Sequence, residues 1–342
     1  MTDAKRQEAL LDDHLSLPDS ATSEALAALP GDLIILGAGG KMGPTLARMA
    51  RRAIADPSRR VIAVSRFSDA TVVEGLQAAG VETLQADLSD PHAVASLPFA
   101  ANVVWMAGQK FGTMGDPVGT WTQNVVASVH AAERFAGARI VCFSTGNVYG
   151  PSVIANGGSR ETDALRPDGE YAASCVGRER VFESVARRTG SPLLVYRLFY
   201  ACDLRYGVVT DVALKVLRGT PIDLATSHVN VIWQGDANRL ALLALAQAST
   251  PAVALNVTGP VVAVREIAEC VGHAAGMAPV FTTDAGEGGG HALVANVDAL
   301  STMMPQVAMP LETLCGLAVE WIRANGRLLN KPTKFEVRDG KF

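Results

Sequence analysis

The chain has 342 residues, of which 49% are hydrophobic and 19% are charged, so it can bury a sizeable core and is not intrinsically disordered. Its formal net charge of −4 excludes the basic surface of a typical nucleic-acid-binding protein, and no apolar run is long enough for a transmembrane helix. The five cysteines include no C-x-x-C pair and the first residues lack a signal-peptide pattern, which predicts a soluble cytoplasmic protein with neither nucleic-acid nor membrane partners.

The first 200 residues alternate between predicted strands and predicted helices. Residues 1–30 form an amino-terminal arm with one predicted helix, SEALAAL, which ends before Pro30. The predicted strands that follow are the apolar segments DLIIL, RVIAVSR, VETLQ, ANVVWMAG, ARIVCFSTG and PLLVYRLFY. Because helical segments separate them, the predicted fold class is α/β, with a doubly wound parallel sheet of the Rossmann type.

After residue 200 the alternation is less regular. The segments VVTDVALKVLRG, REIAECVGHAAG and LETLCGLAVEWIRANG predict helices, whereas VNVIWQ and ALNVTG predict short strands. We assign residues 31–200 and about 229–260 to a dinucleotide-binding core, and residues 201–228 and about 261–330 to a smaller carboxy-terminal α/β substrate lobe. Residues 331–342 form a polar tail that we expect on the surface.

A glycine-rich turn, GAGGKMG, lies between the first predicted strand of the core and the helix that follows. Glycines let the backbone turn tightly and approach a pyrophosphate, which binds to the amide groups at the helix amino terminus. A tight turn without a ligand is the alternative, but the strand–turn–helix context favours a dinucleotide. The predicted cofactor-binding residues of this turn are Gly37, Gly40, Lys41, Met42 and Gly43.

The end of the second strand indicates which dinucleotide binds. NAD-binding proteins usually have a carboxylate there, which accepts hydrogen bonds from ribose hydroxyls. In this chain the strand ends with Ser65 and Arg66, and the nearest acid is Asp69. A hydroxyl and a guanidinium suit a 2′-phosphate better, so NADP is the favoured cofactor and NAD is the alternative.

Segments in this order resemble the extended short-chain dehydrogenase/reductase family, which includes nucleotide-sugar epimerases and dehydratases, over about residues 32–325. Three features match the cofactor side of the family: the motif G-x-x-G-x-x-G at Gly37, Gly40 and Gly43, an adenine-contacting acidic turn at Asp87 and Leu88, and a strand under the cofactor that contains Ala107. Three more match its catalytic side: a helix that contains Asn124, the motif S-[ST]-x-x-V-Y-G with Thr145, and the motif Y-x-x-x-K-x-x-x-E with Tyr171 and Glu179. The resemblance implies that Tyr171 exchanges a proton with the substrate beside Thr145 and Asn124, and that the acidic turn and the strand extend the cofactor site.

The resemblance also implies a homodimer. Helices at about residues 118–137 and 171–188 match the two that pair across the four-helix interface of the family. The alternative is that their apolar faces pack on the protein's own sheet. The apolar residues that recur there at helical spacing are Val125, Val126, Val129, Val181 and Val185.

The chain departs from the family pattern four residues after Tyr171, where Cys175 replaces the lysine. In the family, that lysine lowers the tyrosine pKa and binds the nicotinamide ribose. Three interpretations stay open: another cation (Arg178, Lys41 or Lys110) replaces the lysine, the chemistry needs no ionised tyrosine, or the protein binds cofactor without redox chemistry. We expect Cys175 to be a small apolar filler and Arg178 a surface residue, and we expect Cys175→Lys to restore the charge.

The substrate is expected to be small. Family dehydratases carry an Asp-Glu pair after the catalytic threonine, whereas this chain has Gly146 and Asn147, neither of which is a general acid or base. The glycine-rich hairpin and arginine that anchor a nucleotide diphosphate in the family have no counterpart in GTPIDLATSHVNVIWQGD. The six histidines lack metal-ligand spacing, so no metal site is predicted.

Three functions remain from the sequence, and the least favoured is a non-redox lyase or isomerase that uses Tyr171 and Thr145. The resemblance implies an NAD(P)-dependent oxidoreductase or epimerase that acts on a small sugar, sugar acid or hydroxy acid. The alternative is a non-catalytic NAD(P)-binding sensor or scaffold protein. The residue that separates the two is Cys175, because it stands where the family has its lysine.

Overall fold

A computed structural model describes residues 3–110, 112–282, 290–304, 308–329, 333 and 335 of the chain. The strands are β1 (Leu33–Leu36), β2 (Val61–Ser65), β3 (Glu82–Gln85), β4 (Asn102–Trp105), β5 (Arg139–Thr145), β6 (Ser152–Val153), β7 (Leu193–Leu198), β8 (Ala201–Cys202), β9 (His228–Asn230), β10 (Ile232–Trp233), β11 (Val253–Val257), β12 (Val261–Ala263) and β13 (His291–Ala292). The helices are α1 (Asp3–Leu15), α2 (Ser20–Ala28), α3 (Gly43–Ala53), α4 (Ala70–Ala78), α5 (Pro91–Ala95), α6 (Pro117–Trp121), α7 (Ala127–Arg134), α8 (Gly169–Thr189), α9 (Val208–Arg218), α10 (Gln234–Gln247), α11 (Val264–Ala275), α12 (Asp298–Met303) and α13 (Leu311–Arg323). A π-helical turn (Thr122–Val126) joins α6 to α7.

Seven strands form one parallel sheet in the order β11-β7-β5-β4-β1-β2-β3. Strand β1 pairs with β2 on one side and with β4 on the other, with Leu33 opposite Val61 and Asn102. The chain order of the strands therefore reverses between β1 and β4, and ligands of such sheets bind beyond the carboxyl ends of the strands at this point. This topology confirms the predicted Rossmann-type fold.

Both faces of the sheet are covered, so alternate residues of a strand pack into two separate hydrophobic layers. In β1, Leu33 and Ile35 belong to the layer that includes α3 and α10, whereas Ile34 and Leu36 belong to the layer that includes α7 and α8. All four side chains are fully buried. The uninterrupted apolar segment that predicted this strand follows from burial on both faces.

Helices α9, α11 and α13 pack on one another around a third hydrophobic cluster. Val212, Ile267 and Ala318 are fully buried in it. Two short strand pairs, β8 with β10 and β9 with β12, lie in the same part of the chain, and the segment VNVIWQ, predicted as one strand, forms both β9 and β10. Among the described helices, none is long and apolar enough to cross a bilayer.

The amino-terminal arm contains two helices rather than the single one predicted. Helix α1 was missed because charged residues dominate its sequence, DAKRQEALLDDHL. Tertiary contacts hold it: Leu11 and Leu15 are buried in the cluster of α9, α11 and α13, and Asp12 accepts a hydrogen bond of 2.9 Å from the Arg205 guanidinium.

The carboxy-terminal tail does not lie wholly on the surface as expected. Thr333 and Phe335, the two described residues of 331–342, are both buried. The backbone amide and the hydroxyl of Thr333 donate hydrogen bonds of 2.9 and 2.6 Å to one carboxylate oxygen of Asp211, and Phe335 packs into the cluster of α9, α11 and α13. Burial of the phenyl ring and the paired polar groups of Thr333 explain the difference.

Candidate active site

The glycine-rich turn comes close to the end of strand β4. Gly37 has a φ of +92°, and a Cβ there would lie 2.5 Å from the amide nitrogen of Ala107, so neither the backbone conformation nor the space admits a side chain. Gly43, the first residue of α3, packs as tightly on Ala38. At Gly40, in contrast, a Cβ would meet only the Gly37 carbonyl oxygen, at 3.5 Å. The turn is thus a bare backbone cradle at a helix amino terminus, and it fits the pyrophosphate of a dinucleotide.

The other two predicted residues of the turn adjoin this cradle. Met42 is the residue before the first turn of α3 and packs partly on the sheet core. Lys41 places its ammonium over the ring of Tyr206, 2.9 Å from the ring centroid. Both residues of this cation–π pair line the cavity described below.

The end of β2 places a hydroxyl against the turn, and an exposed guanidinium follows it. A Cβ at Gly39 would lie 2.6 Å from the Ser65 Oγ, so Ser65 lies directly against the turn. The Arg66 side chain is 67% exposed and its Nη1 is 3.9 Å from an Asp87 carboxylate oxygen. Asp69 caps helix α4 by accepting a hydrogen bond of 2.9 Å from the Thr71 amide.

The predicted adenine-contacting turn is also ordered by its own hydrogen bonds. The Asp87 carboxylate accepts hydrogen bonds from the amide and the hydroxyl of Ser89, at 2.9 and 2.7 Å. The Ser89 hydroxyl, followed by its amide, lowers the pKa of Asp87 below the usual value. Leu88 is buried in the layer that includes α7 and α8.

A cavity of about 390 Å³ opens from the glycine-rich turn toward the ends of β4, β5 and β7. Thr145 lies at the end of β5, and Tyr171 lies in the first turn of α8; both line this cavity. The Tyr171 hydroxyl hydrogen-bonds with the Thr145 hydroxyl and with the Cys175 thiol. Burial raises the pKa of Tyr171 above its usual value, and neither Arg178 nor Thr145 offsets this, so the phenol is neutral at neutral pH.

Arg178 lies behind Tyr171 and is buried, so the expectation that it is a surface residue is wrong. Its Nη2 donates to the Cys175 Sγ at 2.7 Å, and its Nη1 donates to the carbonyl oxygen of Ala107 at 2.9 Å. Among the described residues, its Nε has no hydrogen-bond partner. Cys175 is fully buried, as expected of a small apolar filler. Its sulfur is also a hydrogen-bond acceptor.

Two features of the sequence could have located this guanidinium. Cys175 and Arg178 are three residues apart and so lie on one face of the helix. Gly108 makes the necessary room, because a Cβ there would lie 3.0 Å from the Arg178 Nη1. The spacing of Cys175 and Arg178 can be read from the sequence alone, whereas the role of Gly108 can be recognised only from the tertiary contact.

Asn124 holds the segment after β4 rather than facing the cavity. In the π-helical turn, its amide donates to the Gln109 carbonyl oxygen at 3.0 Å and to the Ser174 hydroxyl at 2.8 Å. Its Oδ1 accepts from the Gln109 amide at 2.7 Å. These bonds tie the loop that carries Gly108 and Lys110 to helix α8.

Lys110 extends from that loop into the cavity. Its Nζ is 6.0 Å from the centroid of the Tyr171 ring. Burial lowers the pKa of Lys110 to about 8, and Cys175 partly opposes this shift. In the sequence, Lys110 was only one of three cations that could replace the missing lysine.

Helix α8 is anchored to the sheet by a buried ion pair one turn beyond Cys175. Glu179 accepts hydrogen bonds from the Arg197 guanidinium at 2.8 Å and from the Ser144 hydroxyl at 2.5 Å. The Arg197 Nη1 also donates to the Tyr149 hydroxyl at 2.6 Å. The charged side chains of this pair are 4% and 0% exposed, so the pair fixes α8 against β5 and β7 from inside the protein.

Gly146 and Asn147 occupy the positions where dehydratases have acidic residues. Here Gly146 packs against a ring, and Asn147 makes a hydrogen bond. A Cβ at Gly146 would collide with the ring of Phe199. The Asn147 side-chain amide donates to the Thr145 Oγ1 at 3.1 Å. Asn147 therefore orients Thr145 and, as an amide, does not titrate.

Known proteins match this chain at the level of a family and of a fold. A model of the NAD dependent epimerase/dehydratase family matches residues 33–252. No curated protein matches the chain significantly.

Three solved structures illustrate the likeness in fold. One is MoeE5 in complex with UDP-glucose and NAD, with a TM-score of 0.68 and 22% identity over 86% of this chain and 99% of that one. A second is the UDP-Glc/GlcNAc 4-epimerase of Campylobacter jejuni, with a TM-score of 0.70 and 19% identity over 86% of this chain and 100% of the other. The third is the Bordetella bronchiseptica enzyme WbmG in complex with NAD, with a TM-score of 0.69 and 17% identity over 90% and 98% of the two chains.

Proposed function

Because the chain belongs to the NAD-dependent epimerase/dehydratase family, we propose that it is an NAD(P)-dependent oxidoreductase or epimerase of a small sugar, sugar acid or hydroxy acid. The observation that carries this proposal is the hydrogen-bonded series Tyr171, Cys175 and Arg178 at the wall of the cavity. The series brings a positive charge to the phenol in a chain that lacks the family's lysine. Of the three interpretations, it favours replacement of the lysine by another cation, Arg178.

A nicotinamide dinucleotide fits the residues of the turn. MoeE5 and WbmG, two proteins of similar fold, are complexes with NAD. In this chain, the cradle formed by Gly37, Gly40 and Gly43 would hold the pyrophosphate, with Lys41 and Met42 beside it. When bound, the dinucleotide supplies the redox chemistry at the nicotinamide, and the residues of the chain have to manage the proton.

Tyr171 is suited to donate that proton. Because burial keeps the phenol neutral, its hydroxyl proton can pass to the oxygen of a substrate carbonyl, which becomes a hydroxyl group. The negative charge left on the phenol oxygen is stabilised by the positive charge of Arg178 and by the Thr145 hydroxyl. We therefore propose carbonyl reduction as the direction for which this site is best arranged.

Dehydration by the route of the family dehydratases is not part of the proposal. It needs an acid and a base after the threonine, and Gly146 and Asn147 supply neither. Phe199 also fills the space that a side chain at Gly146 would need.

The proposed function is tested by mixing the reduced dinucleotide with a panel of small carbonyl compounds and following the nicotinamide absorbance. Turnover that Tyr171→Phe strongly reduces supports the proposal, because this change removes only the hydroxyl. A wild-type protein that binds the dinucleotide but turns over no member of the panel favours the sensor or scaffold function instead.

The first prediction concerns the glycine-rich turn. Gly40→Asp should weaken binding of both dinucleotides by at least about tenfold, or about 1.4 kcal/mol, because a carboxylate would face the pyrophosphate. Gly40→Ala is the matched control and should bind almost normally, since its Cβ would make only an ordinary contact with the Gly37 carbonyl oxygen. Titration calorimetry measures both. Unchanged affinity in Gly40→Asp would show that the phosphates bind elsewhere.

The second prediction concerns the choice of dinucleotide. We propose that NADP is preferred, because Ser65 lies against the turn, Arg66 follows it with an exposed guanidinium, and Asp69 is engaged in capping α4. Arg66→Ala should lose about 1.5–3 kcal/mol of NADP affinity, the typical contribution of a charged hydrogen bond, and much less for NAD. Arg180→Ala, on the exposed side of α8, is the control. Equal losses for the two dinucleotides would refute the assignment.

The third prediction is a homodimer formed through α6, the π-helical turn and α7. An apolar stripe is exposed there, with Val118 at 79%, Trp121 at 40%, Val126 at 44% and Val129 at 39% exposure. We expect Val126→Glu to give a monomer, because it would bury a charge in the interface. Sedimentation or light scattering at micromolar concentration measures this, and a monomeric wild-type protein would end the proposal.

The face that we assign to the dimer keeps Val126 and Val129 of the residues predicted by helical spacing but not Val125 and Val185. Val185 is 7% exposed and packs in the protein's own layer with α7. Val125 is close to Gly177, where a Cβ would lie 3.0 Å from it. These two residues therefore join α7 and the π-helical turn to α8 within one chain, and the exposed residues of the stripe are left for a partner.

We also propose that the protein works in the cytoplasm. All five cysteines are free thiols, and four of them are buried. Free thiols persist in a reducing compartment.

A further inference from the structure

The cavity carries positive charge at two separate places. Among its described lining residues, Lys41 and Lys110 are the charged ones, and none is acidic. Of the described carboxylates in the carboxy-terminal lobe, that of Asp211 binds Thr333 and that of Asp203 binds Arg205. The cavity thus favours negatively charged ligands.

Binding of the dinucleotide explains a positive charge at only one of the two lysines, Lys41. Lys41 belongs to the glycine-rich turn, where its charge suits the pyrophosphate. Lys110 lies in the loop after β4, with its Nζ 6.0 Å from the centroid of the Tyr171 ring. Asn124 fixes the backbone of the residue before it, so the position of Lys110 is well defined.

Arg178 and Lys110 differ in their access to the cavity. Arg178 is 5% exposed, contacts Cys175, and is not among the described residues that line the cavity. Lys110 does line it. A ligand in the cavity can therefore touch the Lys110 ammonium, whereas the guanidinium acts on Tyr171 through the protein.

We propose that Lys110 binds a carboxylate of the substrate, close to the carbonyl that Tyr171 protonates, so that the substrate is a polyhydroxy acid or its keto form rather than a neutral sugar. This inference rests on the proposed function. A carboxylate beside the reacting carbon would be held between Lys110 and Tyr171, and the remaining hydroxyls would meet the polar lining supplied by Asn147, Gln234 and Thr333.

The charge state of Lys110 provides a second line of support. Burial lowers the pKa of Lys110 to about 8, so an anion in contact with the ammonium would restore the charged form. Lys110 carries its charge below about pH 8 and loses it above, so affinity for a carboxylate should fall as the pH rises through that value. Affinity for a neutral polyol should not.

The other titratable groups around Lys110 do not change their charge near pH 8. Tyr171 and Cys175 on α8 and Tyr206 across the cavity have pKa values raised by burial, and Arg178 stays charged. Lys41 is held on the Tyr206 ring at the other end of the cavity. A loss of acid binding near pH 8 is therefore assigned to Lys110.

The test compares acids and polyols of the same carbon chain in the presence of saturating oxidised dinucleotide. Glycerate, xylonate and gluconate are titrated calorimetrically beside glycerol, xylitol and sorbitol. We expect at least one acid to bind about tenfold or more tighter than its polyol. Lys110→Met should remove this preference without changing dinucleotide affinity, Lys110→Arg should retain part of it, and Lys5→Met, on the exposed arm, should have no effect.

The outcomes separate this inference from the function on which it rests. Polyols that bind as well as the acids, or a Lys110→Met protein that keeps the preference, would overturn the role of Lys110. Turnover confined to neutral carbonyl compounds would reject the anionic substrate and leave the oxidoreductase proposal standing. If neither series binds and no carbonyl compound is turned over, both the inference and the proposed function fail.

Discussion

Replacing Arg178 with methionine should lower the rate of carbonyl reduction by about ten- to a thousandfold. A nearby positive charge typically shifts a pKa by about 1–3 units, and each unit corresponds to about 1.4 kcal/mol, or a factor of ten. In this protein the Arg178 guanidinium, held by Cys175, acts on Tyr171 by its positive charge. Without it, the phenolate that forms as the proton leaves would lose the positive charge behind Cys175. Dinucleotide affinity should change little, because Arg178 does not line the cavity.

Two matched variants sharpen this prediction. Arg180→Met removes a guanidinium from the exposed side of the same helix, where it pairs with Glu183 at 2.5 Å, and should leave the rate unchanged. Cys175→Lys alone would bring an ammonium against Arg178, so we no longer expect it to restore the family's chemistry. The exchange Cys175→Lys with Arg178→Met should recover activity, since it moves the cation to the family's position. If Arg178→Met leaves the rate unchanged, the guanidinium plays no part in the proton transfer from Tyr171.

Replacing Glu179 with glutamine should lower the free energy of unfolding by about 3–5 kcal/mol. The change keeps the shape of the side chain but leaves the Arg197 guanidinium buried without its counter-charge. Ser144 would also lose its charged acceptor, and Tyr149 belongs to the same network through Arg197. Because this network joins α8 to β5 and β7, Tyr171 and Thr145 should lose their mutual alignment as well.

Urea denaturation measures this loss directly. Glu183→Gln is the control, because its pair with Arg180 is exposed to solvent and should contribute less than about 1 kcal/mol. Similar small losses for both variants would mean that the buried pair does not hold α8 in place.

The central sheet could be predicted because its signals are local. Strands buried on both faces are uninterrupted apolar segments, as in β1, and the glycine-rich turn is a contiguous pattern between a strand and a helix. Helix α1 could not be predicted in this way. Its few apolar residues, such as Leu11 and Leu15, form an apolar face only because they pack into the cluster of α9, α11 and α13.

The same distinction applies to the candidate site. Tyr171 and Cys175 were predicted from one short motif, and Thr145 from another. The role of Arg178 depends on Gly108, which is distant in sequence and leaves space for the guanidinium. The burial of Thr333 depends on Asp211 in the same way. Contacts between distant segments leave no periodic signal, so composition and spacing pointed to a surface arginine and a surface tail.

The central claim is that Tyr171 donates the proton and that Arg178 acts through it. A double-mutant cycle on the rate of nicotinamide oxidation, with wild type, Tyr171→Phe, Arg178→Met and the double variant, tests this most directly. The account predicts that Arg178→Met slows the wild-type protein by about tenfold or more but has almost no further effect once the Tyr171 hydroxyl is gone. Losses that simply multiply in the double variant would contradict it, because Arg178 would then act independently of the tyrosine.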